Sequence, residues 1–268
     1  MSIADSSSSQ PVVLVTGAAK RLGREFCLAF ARAGWQVLAH FNHSRVEALE
    51  TQTLVQALGV ACNLVQQDLH APDAHLLLLD ACQQLTGQWP LCIVNNASIF
   101  VSDDALSSTP EQLHAHFQVN TVLPLLLGNA LAQRAEAMPA LNGKRSIIHV
   151  LDQKVHNLNP DYFSYTVSKL ALERSVALQA QALAPAVRVC GLSPGLIYLS
   201  GPQSQANFER ASQVNLLQRP IDPADIARSA VFIAENHALT GCTIQVDNGQ
   251  HLIPLARDVM FTIPPTSS

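Results

Sequence analysis

The chain has 268 residues, 48% hydrophobic and 13% charged, with a net charge of −4. That is enough apolar material for one α/β unit of about 250 residues, and it leaves no basic face for a nucleic-acid backbone. Met1–Gln10 is polar and serine-rich, without the basic start and apolar stretch of a signal peptide, and no apolar run approaches the roughly 20 residues that span a bilayer.

A cytoplasmic protein with no membrane partner is therefore expected. The six cysteines, at 27, 62, 82, 92, 190 and 242, form no CxxC pair and sit mostly in apolar runs. They are expected to be buried reduced thiols, as in a reducing cytosol.

Residues 1–10 are expected to be a disordered tail. Val12-Val13-Leu14-Val15-Thr16 is short, apolar and β-branched, the pattern of a strand buried on both faces. A helix is expected over 21–33, stopped by Gly34, then a strand over 36–41. The alternation continues: helix 44–58, strand 61–66, helix 74–85, strand 91–94, long helix 110–137, strand 146–151, long helix 163–183, strand 187–192, helix 223–235 and strand 243–246. Strands alternating with helices predict a single doubly wound parallel sheet, covered on both faces. No linker or repeat divides it, so one domain is expected over 11–263, followed by a flexible tail, 264–268.

Ligands of such sheets bind beyond the carboxyl ends of the strands. The first strand runs into Thr16-Gly17-Ala18-Ala19-Lys20-Arg21-Leu22-Gly23. Small residues let the backbone approach a pyrophosphate, and the helix start offers free N–H groups. Lys20 and Arg21 oppose the helix dipole there, which an anion would explain. The second strand ends His40-Phe41-Asn42-His43-Ser44-Arg45, with no acidic residue from Gln36 to Arg45. A carboxylate for the ribose hydroxyls of NADH is missing, so NADPH is the expected cofactor, its 2′-phosphate meeting His43, Ser44 and Arg45. Asp68-Leu69 and Asn95-Asn96-Ala97 follow the third and fourth strands, where they suit the adenine side and the cofactor wall. Asp68 suits a helix cap equally well.

Of three tyrosines only Tyr165 has a lysine four residues on, Lys169. On a helix that spacing puts both on one face. An ammonium beside a phenol is expected to lower the Tyr165 pKa and make it a proton carrier; a surface pair on an amphipathic helix is the bland alternative. His114 and His116, two apart, face different sides of their helix and make no metal pair. His149, inside a strand, reads as a satisfied core histidine.

Thr16-Gly17-x3-Arg21-x-Gly23, Asn95-Asn96-Ala97, Asn120, Tyr165-x3-Lys169 and Pro194-Gly195 occur in this order. Together they resemble the short-chain dehydrogenase/reductase family, over about residues 11–252. The resemblance implies that Tyr165 is the acid/base, that Lys169 tunes it and holds the nicotinamide ribose, that Asn120 supports a water-linked relay, and that Pro194-Gly195 borders the nicotinamide. It also implies a homotetramer built on the two long helices. Two departures stand out: Arg21 where most members have Gly, and Asp152 where most have Ser. A carboxylate repels the oxyanion formed from a ketone, and suits a ring with N–H donors or a basic nitrogen.

With His40-Phe41, with Asp152 lying 13 residues before Tyr165, and with Asn96-Ala97-Ser98 followed by Phe100, the chain resembles the pteridine and dihydromonapterin reductases within that family. That resemblance implies hydride transfer to a C=N carbon of a dihydropterin, with Tyr165 and Asp152 delivering the proton. Phe100 would stack on the pterin, and Ser98 and Arg21 would approach pterin and cofactor phosphates. His43 stands at a position where Arg is found in such enzymes, a departure expected to soften the NADPH preference. A reductase of another carbonyl, imine or quinone, and an inactive NADP(H)-binding subunit, stay open as alternatives. No role is assigned to Tyr198 or to the segment 199–214.

Overall fold

The computed structural model describes residues 10–201 and 203–262. The tails expected over 1–10 and 264–268 lie outside the described residues, save Gln10. Seven strands form one parallel sheet: β1 (Val12–Val15), β2 (Gln36–Phe41), β3 (Cys62–Gln66), β4 (Cys92–Asn95), β5 (Arg145–Val150), β6 (Val187–Pro194) and β7 (Thr243–Val246). Their order is β3-β2-β1-β4-β5-β6-β7. The chain winds outward from β1 to β3, then returns to the other side of β1 with β4. This reversal opens a crevice at the carboxyl ends of β1 and β4.

β1 shows why its sequence is apolar throughout. Successive strand residues face opposite sides. Val13 and Val15 pack with Phe26, Phe30, Ile226 and Ile233, whereas Val12 and Leu14 pack with Leu78, Leu127 and Leu131. The first group comes from α1 (Arg21–Arg32) and α8 (Pro223–Glu235), the second from α3 (Ala74–Thr86) and α5 (Leu123–Ala135). Two layers of helix thus cover one sheet, as the alternation of elements predicted. α2 (Arg45–Gln56) lies between β2 and β3 in sequence, and α6 (Phe163–Leu183) between β5 and β6.

The long helix expected over 110–137 is interrupted. α4 (Pro110–Phe117) passes through a π turn, Gln118–Val122, into α5. Pro124 accounts for the break: it has no N–H to give the carbonyl of Asn120, four residues earlier. Two short helices, α7 (Gln205–Ala211) and α9 (Val259–Thr262), carry too few residues for a helical period to show in sequence.

Five of the six thiols are buried and Cys242 is partly exposed. His149 is fully buried; Asn95 donates to its Nδ1 at 3.2 Å, and its Nε2–H donates to Gln179 Oε1 at 2.9 Å. Among the described residues no helix is long and apolar enough to cross a membrane.

Candidate active site

A cleft of about 540 Å3 opens at the carboxyl ends of the strands. One end is the first turn. Gly17 has φ +63°, a left-handed conformation natural to glycine, and a Cβ there would lie 3.0 Å from Ala97 Cα. Gly23 allows still less, since a Cβ would fall 2.0 Å from the Gly17 carbonyl oxygen. Thr16 Oγ1 accepts the N–H groups of Asn96 and Ala97, each at 3.0 Å. Asn96 Nδ2 returns bonds to the Thr16 and Gly17 carbonyls at 2.9 and 3.1 Å. The turns after β1 and β4 are therefore locked to each other.

His40 does not present a charge to this turn. It is buried, and burial lowers its pKa to about 4. The Gly17 N–H donates to its Nδ1 at 3.1 Å, and its Nε2–H donates to the Gln67 carbonyl at 2.9 Å. Neutral His40 braces the glycine turn from beneath. Phe41 packs under it against Ala19 and Ala48. His43 is exposed, and Ser44 is the residue before α2, without a side-chain capping bond. Both stand outside the cleft lining, which reaches Asn42. Asp68 accepts from the His70 N–H at 3.0 Å, and α3 starts only at Ala74. Asp68 and Leu69 both line the cleft.

The start of α1 has no side-chain cap and no acidic residue in its first turn. Lys20 and Arg21 add positive charge there. Such an end draws an anion. Arg21 has φ +52°, unusual for a residue with a side chain. Its guanidinium crosses to the Leu199 carbonyl at 2.9 Å and lies 5.8 Å from the Tyr198 ring centre. It thereby ties the first turn to the segment after β6.

At the other end, Tyr165 and Lys169 share one face of α6. The Tyr165 hydroxyl donates to Asp152 Oδ2 at 2.8 Å, and Asp152 Oδ1 accepts the Lys154 N–H at 2.9 Å. The lysine was expected to lower the phenol's pKa. The phenol instead stands well above its ordinary value, through burial first and the Asp152 carboxylate second. Burial also raises Asp152. Lys169 donates to the Val150 carbonyl at 2.7 Å, with its ammonium 5.8 Å from the Tyr165 ring centre, and burial lowers it to about 8. Desolvation of the phenolate outweighs the nearby cation. At neutral pH the pair holds a proton between phenol and carboxyl, which suits a donor.

Asn120 lies behind the cleft. Its Oδ1 accepts the Ile99 N–H at 2.8 Å, and its Nδ2 donates to the Ile99 carbonyl and Ser168 Oγ, each at 3.0 Å. It fastens the turn after β4 to α6. Ser98 lines the cleft beside Phe100. One face of Phe100 is covered by Tyr162, with ring centres 4.1 Å apart and planes 19° apart, and the Tyr165 ring meets Phe100 edge-on at 4.6 Å. Pro194 and Gly195 form the floor. A Cβ on Gly195 would lie 2.6 Å from both Gln250 Oε1 and Ile221 Cδ1, so the backbone here is packed to contact.

The cleft thus brings together Gly17, Arg21, Leu22, Gly23, His40, Asp68, Leu69, Asn96, Ala97, Ser98, Phe100, Asp152, Tyr165, Lys169, Pro194 and Gly195. Phe41, His43, Ser44 and Asn120 support or flank it. Sequence reasoning missed Gln250, Asp258 and Val259, which also line it; Lys154, which lines it too, begins a loop that the sequence places near the substrate without assigning a role. The N–H of Leu196 donates to Gln250 Oε1 at 2.8 Å, a bond across 54 residues with no local signal.

The sequence model of a family described as enoyl-(acyl carrier protein) reductase matches residues 17–251. The chain is 31% identical to pteridine reductase 1 of Leishmania tarentolae, over 92% of this chain and 98% of that one. It is 24% identical to the dihydromonapterin reductase of Klebsiella pneumoniae, over 90% and 96%. Among solved structures it resembles FolM alternative dihydrofolate reductase 1 of Brucella canis, complexed with NADP. There the TM-score is 0.84 and the identity 32%, covering 91% of this chain and 95% of that one.

Proposed function

The chain belongs to the short-chain dehydrogenase/reductase family, and from that premise we propose that it is an NADPH-dependent reductase converting a dihydropterin to a tetrahydropterin. The observation that carries the substrate class is the 2.8 Å bond between Tyr165 and Asp152. A carboxyl group beside the phenol disfavours an oxyanion and favours a substrate nitrogen that gains a proton. The relatives that reduce pteridine, dihydromonapterin or dihydrofolate by name support the same class.

NADPH, when bound, supplies the hydride that adds to the C=N carbon. The residues present fit it. The uncapped start of α1 with Lys20 and Arg21 would hold the pyrophosphate, Ser44 and His43 the 2′-phosphate, and Lys169 the nicotinamide ribose. The proton goes to the adjoining nitrogen from Tyr165 Oη, and Asp152 Oδ2 shares and replenishes it. Its raised pKa keeps the Tyr165 phenol protonated at neutral pH, the state reduction requires, and burial shifts Asp152 upward, in the direction that favours sharing that proton. Phe100, backed by Tyr162, offers its other face to a flat ring. We also propose a homotetramer, which light scattering on the purified protein tests.

A coupled NADPH-oxidation assay with dihydrobiopterin, dihydromonapterin and dihydrofolate tests the substrate class, with a 3-oxoacyl thioester as the contrasting carbonyl. Turnover of at least one dihydropterin is expected. A flat trace with all three, or faster turnover of the thioester, rejects the reading.

A further inference from the structure

Two neighbouring turns and one segment distant in sequence meet at the substrate end of the cleft. The turn after β5 carries Asp152 and Lys154, the approach to α6 carries Asp161 and Tyr162, and residues 253–262 return across both. Lys154 is a buried lysine whose ammonium donates to Asn159 Oδ1 at 2.5 Å and to Asp258 Oδ2 at 2.9 Å. Asp161 holds the Arg257 guanidinium, and accepts the Asp258 N–H at 2.6 Å. The Tyr162 hydroxyl donates to Met260 Sδ at 3.1 Å, and Asn157 Nδ2 donates to the Ile253 carbonyl at 2.7 Å. These bonds seat Asp258 and Val259 in the wall of the same cleft as Asp152 and Tyr165.

The Lys154–Asp258 pair is buried unequally. The lysine side chain is 2% exposed and the carboxylate 19%. The cleft therefore meets the negative end of the pair. The other basic groups in the lining are engaged elsewhere: Lys169 on the Val150 carbonyl, Arg21 on the Leu199 carbonyl, and Lys20 beside Glu47. Burial is the main cause of the raised pKa values of Asp152 and Tyr165; Asp258 adds to both in a minor way, and at Asp152 the Lys154 ammonium opposes it.

We propose that Asp258, clamped by buried Lys154, is a substrate-facing specificity residue that selects dihydropterins with an uncharged side chain over those carrying carboxylates. The inference rests on the pterin reading above. Like charges held in a poorly solvated cleft repel more strongly than in water. An anionic tail entering this end meets Asp258 before it can reach the shielded ammonium.

The test compares kcat/KM for dihydrobiopterin, whose side chain is uncharged, with that for dihydrofolate, which ends in carboxylates. The wild type is expected to favour dihydrobiopterin. Asp258→Asn keeps an acceptor for Lys154 while removing the charge, and should shrink the ratio about tenfold, or about 1.4 kcal/mol, chiefly through a lower KM for dihydrofolate. Asp258→Glu should restore the ratio. Should Asp258→Asn fail to fold, Asp258→Ser gives the same readout: it also removes the charge and should narrow the ratio, since effects on the shared cofactor cancel. Turnover of both substrates with a ratio that neither charge-removing substitution moves, or with dihydrofolate preferred from the start, overturns the role of Asp258 and leaves the pterin reading standing. Turnover of neither overturns both.

Discussion

The two ends of the cleft are built by different means. The cofactor end is backbone: glycines at 17 and 23, N–H groups at the start of α1, and a threonine and an asparagine that lock two neighbouring turns. The substrate end is side chain, and its bonds span long stretches of sequence, as between Lys154 and Asp258 or Asp161 and Arg257. A backbone cradle tolerates little change at its glycines but needs few special side chains. A side-chain wall can be retuned one residue at a time.

Tyr165→Phe breaks this comparison most severely. Losing a positioned proton donor costs about 10²–10⁴-fold in rate, so kcat with a dihydropterin should fall by that much. Because the phenol belongs to the substrate end, the Kd for NADPH, followed by its fluorescence, should stay within a few-fold. A kcat within tenfold of wild type would remove Tyr165 from the chemistry.

Asp152→Ser comes next. It replaces an acceptor and proton reservoir by a neutral hydroxyl. A hydrogen bond involving a charged group contributes about 1.5–3 kcal/mol, so kcat/KM for the dihydropterin should fall between about tenfold and about 100-fold. Undiminished turnover would show that the carboxyl has no part in protonation.

The pH dependence of stability separates the cofactor end from the middle of the sheet. His40 and His149 are both lowered by burial from 6.5 to about 4. Unfolded, they take up protons near pH 6.5; folded, they do not until about pH 4. The stability they contribute is complete above pH 6.5 and is lost as pH falls from there towards 4. Each adds a slope of up to about 1.4 kcal/mol per pH unit in that window. Urea unfolding between pH 7 and 4 should show this loss. His40→Asn should remove about half of the slope and also weaken NADPH binding, because the Gly17 N–H loses its acceptor. An unchanged slope would mean that His40 is protonated in the fold.

Much of the cofactor end was legible in the sequence for a physical reason. A Gly-rich turn after a β-branched strand is local chemistry, and the alternation of apolar strands with amphipathic helices fixes the sheet around it. His40 was legible only as a position in a motif: the folded chain shows the Gly17 N–H and the Gln67 carbonyl engaging both ring nitrogens. The π turn was signalled by Pro124, whose missing N–H frees a carbonyl, yet α and π segments share nearly the same apolar pattern. The pKa of Tyr165 was misjudged because the spacing to Lys169 is visible in sequence, whereas the desolvation that overrides it is a property of packing. The partnership of Lys154 and Asp258 had no local sign, since it spans 104 residues.

Arg257→Ala is the mildest and most discriminating change. The guanidinium is largely exposed, but it grips Asp161 through both carboxylate oxygens, at 2.8 Å from Nε to each. Arg257 is exposed but Asp161 is nearly buried, so leaving that carboxylate short of a partner should lower the melting temperature by about 2–4 °C. Asp161 also accepts the Asp258 N–H, so losing its partner loosens the segment that carries Asp258 into the cleft. KM for a dihydropterin should rise by a few-fold at most, while the Kd for NADPH stays fixed. If both constants shifted together, the two ends of the cleft would be one mechanical unit, and the division between a backbone-built cofactor end and a side-chain-built substrate end would fail at this residue. If KM alone shifts, the C-terminal segment acts on the substrate and on nothing else in the site.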